Sequence, residues 1–337
     1  MSAPLFLAGD IGGTKTHLAT FLRADERLKI VKSQKFSSTT YPSLKAMLRE
    51  FLGTNDEPPL AACFGVPGVV TQGRAKPTNL TWGVDSEEVA LEFHIPHVSL
   101  LNDLAANALG IAELGPKDFD IVQEGTPGAI GNRCVVSPGT GLGQAGLFWD
   151  GKRHQVWACE GGHTDFAPRN ALEMALLDYL IKIYGHVSGE RVVSGIGIEN
   201  IYNFLRDTGR GKEIPAVVKE MESRDPNVII SQHADAATCP LCVQTLEIFI
   251  SCFGAEAGNM ALKSMALGGV YLGGGVSAKL AHHIKSAAFI HAFNDKGRLA
   301  SVMEKIPVQI IMNDQAALLG AANRAYQSVH EAKITSP

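Results

Sequence analysis

Cysteine is scarce in this sequence, with six in 337 residues. Cys63, Cys134, Cys159 and Cys252 stand singly in apolar stretches. That is the setting of small core residues in a reducing compartment, not of a disulfide framework. Cys239 and Cys242 form one CxxC, but no second ligand pair stands at a zinc-site spacing and no thioredoxin-like pattern surrounds them. Excess charge is missing as well. Thirty Lys and Arg against 34 Asp and Glu leave a net charge of −4, which excludes a nucleic-acid or anionic-membrane surface as the main binding face. No apolar run reaches 18 residues, and the opening MSAPLFLAGD has no basic region and breaks at Asp10. Neither a signal peptide nor a membrane span is predicted, and a cytoplasmic enzyme is the expectation. The G-x-S-x-G elbow of serine hydrolases is absent too.

What is present is an alternation. Apolar, β-branched runs that close on glycine or a polar residue recur at 4–9, 60–70, 98–101, 134–137, 270–274 and 307–312. Helical periodicity fills 42–52, 104–114, 171–184, 197–207, 241–267 and 315–330. Strands alternating with helices predict an α/β architecture with buried, largely parallel strands. Residues 209–240 are mixed and polar, and are expected to be a surface excursion.

Two glycine loops resemble familiar phosphate motifs and depart from both. GDIGGTKT at 9–16 fits a Walker A loop except at Thr14, where glycine is required. The helix that a Walker A needs does not follow, because HLATFL, RADER and LKIV read as strand, turn and strand. SPGTGLGQAG at 137–146 satisfies G-x-G-x-x-G through Gly141, Gly143 and Gly146. A Rossmann site needs a helix next, but LFW runs instead into Asp150-Gly151, a hairpin signal. Two loops, each after a buried strand and before a hairpin, suggest a duplicated fold whose halves offer backbone amides to one polyphosphate. A third segment, VYLGGGVSAKL at 270–280, reads as a strand, a glycine triplet and a helix opened by Ser277, with room for a flat ligand such as adenosine.

The polar residues around these segments have two readings each. Asp103, in LLND, is either an N-cap or a catalytic carboxylate. Asp10 either shapes a turn or faces a metal. Glu160 and His163, in EGGH, either brace a loop or bind hydroxyl groups across two glycines. Glu190, in GHVSGERV, is a solvated helix-start residue or part of the same set. Asn79, in KPTNLTW, fits turn formation equally well. A metal site at His154, Cys159, Glu160 and His163 matches no familiar spacing.

Taken together, GDIGGTKT, FGVPGVV, LNDLAANALG, SPGTGLG, EGGHTDFAP, GHVSGERV, GGVYLGGGVS and FNDKGR resemble the zinc-free bacterial glucokinase family, within the sugar-kinase branch of the actin-like ATPase superfold. Related ROK kinases carry a cysteine-rich zinc cluster after the matching histidine, and this chain has no cysteine between Cys159 and Cys239. The resemblance covers nearly the whole chain. It implies a duplicated ribonuclease H-like fold in two domains with the active site in the cleft between them. The small α/β domain would be 1–112 plus 314–337, and the large α/β domain 113–313. It further implies ATP-dependent phosphorylation of D-glucose at the 6-hydroxyl, with Asp103 as general base. Asn102, Asp103, Glu160, His163 and Glu190, with Asn79 as an addition, would hold the sugar. Gly9, Asp10, Ile11, Gly12, Gly13, Thr14, Thr140, Gly141, Gly274 and Gly275 would bind ATP. Asp10 would be an outer ligand to Mg²⁺, and Lys15 would add charge without being required. A homodimer is implied, to which the long 241–267 helix would lend an apolar face. Another hexose as acceptor (mannose, fructose or glucosamine) and a non-catalytic sugar sensor are the alternatives.

Overall fold

The computed structural model describes residues 4–24, 27–53, 57–77 and 80–335, and only the backbone of 331–335. In chain order its strands are β1 (Phe6–Ile11), β2 (Lys15–Ala24), β3 (Arg27–Ser37), β4 (Ala61–Val66), β5 (Val70–Thr71), β6 (Arg74–Ala75), β7 (Val84–Asp85), β8 (His97–Asn102), β9 (Phe119–Gln123), β10 (Arg133–Pro138), β11 (Leu142–Trp149), β12 (His154–Cys159), β13 (Gly269–Leu272) and β14 (Val308–Ile311). The helices are α1 (Leu44–Leu52), α2 (Ser86–Phe93), α3 (Asp103–Gly110), α4 (Ala171–Tyr184), α5 (Gly195–Asp207), α6 (Pro215–Met221), α7 (Pro226–Asp235), α8 (Pro240–Ser264), α9 (Gly274–Lys279), α10 (Ala281–Ile284), α11 (Ala287–Asn294), α12 (Ala300–Met303) and α13 (Ala316–Thr335). The chain divides into two units: 1–118, 154–158 and 313–337 form the first, and 119–153 and 159–312 the second.

The first unit is built on the sheet β3–β2–β1–β4–β8. β1, β2 and β3 run antiparallel as a meander, whereas β4 and β8 add parallel to β1. Period-two alternation divides β1 between two cores. Phe6 and Ala8 pack with Leu318, Ala321, Ala322 and Ala325 of α13. Leu7 and Ile11 pack on the other face with Leu44, Met47, Leu48 and Phe51 of α1. A small sheet, β5–β6–β7, completes the unit.

The second unit repeats the arrangement. β11 is antiparallel to β10, and β13 and β14 follow parallel to it, with β9 antiparallel at the end. Both predicted strand–loop–strand segments are therefore present, at β1–β2 and at β10–β11. The chain turns at 150–153, where the Asp150 carboxylate accepts from the Lys152 and Arg153 amides at 2.8 Å each.

The core of the second unit is dominated by α8, which contributes Leu246, Phe249, Phe253, Ala257 and Met260. Its length and apolar composition would suit a membrane span, but most of it is buried among its own neighbours. The same burial uses up the face that the sequence reading offered to a dimer. Residues 209–240 are not the expected excursion. They fold into α6 and α7, each opened by proline, and place Val217, Ile229 and Ile230 in the core. Cys63, Cys134, Cys239, Cys242 and Cys252 are buried, and burial pushes the Cys63 and Cys134 thiols up to about 12. Cys239 and Cys242, at the start of α8, are core residues, and burial raises the Cys242 thiol as well.

Candidate active site

The first unit assembles Asp10, the 12–15 turn and Asp103. Asp10 is the fifth residue of β1, paired with His17 on one side and Gly65 on the other. After β1 the chain reverses through a tight turn closed by the Gly12 amide donating to the Lys15 carbonyl at 2.9 Å. Ser38 braces that turn. Its hydroxyl donates to the Gly12 carbonyl at 2.7 Å, and its amide donates to the Thr14 carbonyl at 2.9 Å. Sequence reasoning missed Ser38, and the run of Ser and Thr after β3 was the available signal. Thr14 and Lys15 are exposed at the tip of the turn. Gly9 and Ile11 lead into the turn and also pack the core: a Cβ on Gly9 would lie 2.6 Å from Phe64, and the Ile11 side chain is buried, so only their backbone can face a ligand.

Asn102 and Asp103 divide the two roles that the sequence left open. Asn102 is the N-cap of α3: its Oδ1 accepts from the Leu104 amide at 2.9 Å and the Ala105 amide at 3.2 Å. Its Nδ2 donates to the Gly68 carbonyl at 3.1 Å, which leaves one amide proton for a ligand. Asp103 is the first residue of the helix, half-buried, at the end where the macrodipole favours an anion. The close approach depends on Gly65, where a Cβ would lie 3.0 Å from the Ala106 Cβ and 3.8 Å from the Asp103 Cα. The helix start can therefore settle against β1 and β4. Burial first, and the Asp103 carboxylate second, push Asp10 up to about 6. Asn79 lies outside the described residues.

The second unit assembles Thr140, Gly141, Glu160, His163, Glu190 and the 273–275 turn. Thr140 is exposed at the tip of the β10–β11 turn, which is closed by the Gly139 amide donating to the Gly141 carbonyl at 2.8 Å. The Glu190 carboxylate lies on this turn and accepts from the Leu142 amide at 3.0 Å. A Cβ on Gly141 would meet this carboxylate at 2.4 Å, so a side chain there would displace Glu190 from the turn. Glu160 and His163 flank a 3₁₀ turn, Gly161–His163, with their side chains exposed and 4.0 Å apart. A Cβ on Gly162 would run into the Leu142 carbonyl, so this turn rests directly on β11. The Glu190 segment joins it, because the Gly189 amide donates to the Thr164 carbonyl at 2.8 Å. Glu160, His163 and Glu190 are thus held around the first residue of β11.

Beneath the turn runs a polar chain that sequence reasoning also missed. Buried Gln144 donates to Glu256 at 2.7 Å, Asn259 donates to the other Glu256 oxygen at 3.2 Å, and Lys296 donates to Asn259 at 2.8 Å. The residues are far apart in sequence and carry no shared motif. Gly273 caps α9, and Gly274, with φ of 80°, lies where a Cβ would sit 2.5 Å from the Pro138 carbonyl. Space over Gly275 is open. Ser277 does not open the helix as expected, because it lies inside α9 and is buried. A recess of the first unit, lined by Leu5, Val31, Phe51, Pro58 and Pro96 among others, includes none of the candidate residues.

A strand order used twice, with a glycine turn and carboxylates presented by each copy, is the architecture of the actin-like ATPase fold. The family model described as Glucokinase matches residues 7–328. A glucokinase of Nostoc punctiforme is 41% identical over 333 residues, covering 94% of this chain and 98% of its own. The crystal structure of a glucokinase from an Antarctic psychrotroph superposes with a TM-score of 0.85 at 30% identity, covering 97% of this chain and 100% of its own. A ROK-family glucokinase from Streptomyces griseus, solved with glucose and AMPPNP, shares the fold at a TM-score of 0.60 and 21% identity, covering 96% and 99%. The chain belongs to the glucokinase family.

Proposed function

We propose that this protein transfers the γ-phosphoryl group of ATP to the 6-hydroxyl of D-glucose, giving glucose 6-phosphate and ADP. The observation that carries the reading is Asp103 at the first turn of α3, where Asn102 takes the N-cap position, the Asp103 Oδ1 accepts from the neighbouring Leu104 amide at 2.9 Å, and the Asp10 carboxylate is near enough to feel its charge. The Asp103 carboxylate takes the hydroxyl proton as the oxygen attacks phosphorus and ADP departs. Glu160 and His163 hold sugar hydroxyls from their turn, and Glu190 combines that task with bracing the 139–142 loop. The Gly12–Thr14 and Thr140–Gly141 turns offer backbone amides and hydroxyls to phosphate oxygens, and the open face of Gly275 suits adenosine.

Mg²⁺ fits Asp10. Two carboxylates close enough to repel, one of them pushed up by burial, form a hard-oxygen environment that a divalent cation relieves. When bound, the ion neutralises phosphate charge. Asp10 would hold it, and Asp103 keeps the proton-accepting role. The support for ATP and glucose is the family membership and the AMPPNP and glucose complex of the Streptomyces griseus relative. The reading includes a cytoplasmic location and a homodimer, with the dimer face drawn from elements other than α8.

The test is ADP release measured on glucose, mannose, fructose and glucosamine, with the parent and with Asp103→Asn. Glucose is expected to be preferred. The variant is expected to lose about 10²–10⁴ in kcat with little change in glucose KM. Turnover near that of the parent in Asp103→Asn would remove the base from the mechanism, and preference for another hexose would reassign the acceptor.

A further inference from the structure

We propose a transition-metal site in the second unit, formed by Asp235, His282 and His283, that takes a zinc-class divalent ion. Asp235 is the last residue of α7, and the two histidines are consecutive in α10. The Nε2 atoms of both rings meet the same carboxylate oxygen, Asp235 Oδ1, at 3.1 Å from His282 and 2.7 Å from His283. One ligand atom from each residue lies within 4.8 Å of the others. Consecutive helical residues normally diverge by about 100°, yet here the ring centroids are 4.0 Å apart and the rings face one acceptor.

Both ends of the site are fixed to the core. Ala234 precedes Asp235 and is buried, and Leu280 and Ile284 anchor the α10 turn from below. The ligand atoms are therefore preorganised on packed elements and not on long free side chains.

The chemistry selects the ion. Two imidazole nitrogens and one carboxylate oxygen suit zinc and its neighbours, whereas Mg²⁺ and Ca²⁺ prefer all-oxygen sets. Zinc bonds of about 2.0–2.1 Å in a tetrahedron place ligand atoms about 3.3 Å apart. The two nitrogen–oxygen separations of 3.1 and 2.7 Å open slightly to reach that spacing, and the two imidazole nitrogens already lie within 4.8 Å of each other, with the fourth position left to water. Loaded, the site ties the end of α7 to α10, the segment that follows the α9 glycine turn. It contains no cysteine, and its donor chemistry is unlike that of the carboxylate pair at Asp10 and Asp103.

The experiment is calorimetric titration of untagged, chelator-treated protein with ZnCl₂, paralleled by CoCl₂ titration read by visible absorption. Saturation at one equivalent with tetrahedral-type cobalt bands is expected, and no saturable MgCl₂ signal outside nucleotide conditions. His282→Ala, His283→Ala and Asp235→Asn are each expected to weaken zinc binding by about tenfold or more. His291→Ala, at an exposed histidine outside the cluster, is expected to bind as the parent does. The metal-free melting temperature of each variant is the folding control. Absence of saturable zinc binding in the parent, or unchanged affinity in the three cluster variants, overturns the proposal.

Discussion

Asp10 carries a charge that the ligand-free protein accommodates poorly. Its folded-state value of about 6 stands above the ordinary 3.8, because burial and the Asp103 carboxylate both oppose ionisation. The sign follows directly. Between the two values the folded chain holds a proton that the unfolded chain has released, so stability falls as pH rises toward 6 and stays reduced above it. The full penalty is on the order of 2–3 kcal/mol. Asp10→Asn removes it. Chemical denaturation without magnesium is expected to show the variant more stable than its parent at pH 7.5, with the advantage gone below about pH 4. An advantage independent of pH would contradict this account. At this scale the sequence was partly legible. Asp10 and Asp103 could be found because a carboxylate at a strand end before glycine, or before a helix, is a local pattern. The packing of Gly9 against Phe64 and of Ile11 against the α1 core was not legible, because a local pattern does not contain those neighbours.

At the scale of elements, the Gly161–His163 turn, proposed above to hold the sugar, depends on how closely it rests on β11. The Gly162 position has no room for a methyl group, because the Leu142 carbonyl occupies it. Gly162→Ala must lift the Gly161–His163 turn, moving Glu160 and His163 away from Glu190. The expected result is a loss of about 1–3 kcal/mol in stability and a raised KM for glucose, with the KM for ATP much less affected. Equal changes in both KM values would mean that the turn does not serve the sugar alone. The two hairpins were legible because buried strands, glycine loops and Asp150-Gly151 are short-range signals. The helices α6 and α7 were not, since their few core residues are spread among polar ones and each helix is short. The Gln144–Glu256–Asn259–Lys296 chain was invisible for a related reason. It joins β11, α8 and the residues after α11, and only packing brings them together.

On the scale of the molecule, the duplicated strand order was readable from two similar loops in similar contexts. The tightness of α13 against α3 was not. A Cβ on Gly320 would overlap the Ala106 carbonyl, and one on Gly110 would overlap the Ala316 carbonyl, so the two helices meet backbone to backbone. Neither glycine needs an unusual backbone angle, and a helical glycine shows nothing of its partner in sequence. Gly320→Ala is expected to lower the melting temperature by several degrees or more and to reduce activity through the displaced α3. A variant with the parent's melting temperature and kcat would show that the helices can separate without consequence.

This contact also orders events during synthesis. The strand bearing Asp10 and the helix bearing Asp103 are made well before α13, which covers Phe6 and Ala8 and braces α3. Until residues 316–335 clear the exit tunnel, one face of the first sheet stays uncovered and the Asp103 helix lacks its support. The first unit therefore stays incomplete until α13 has been made, and chains that lack it are the form most exposed to chaperones and proteases.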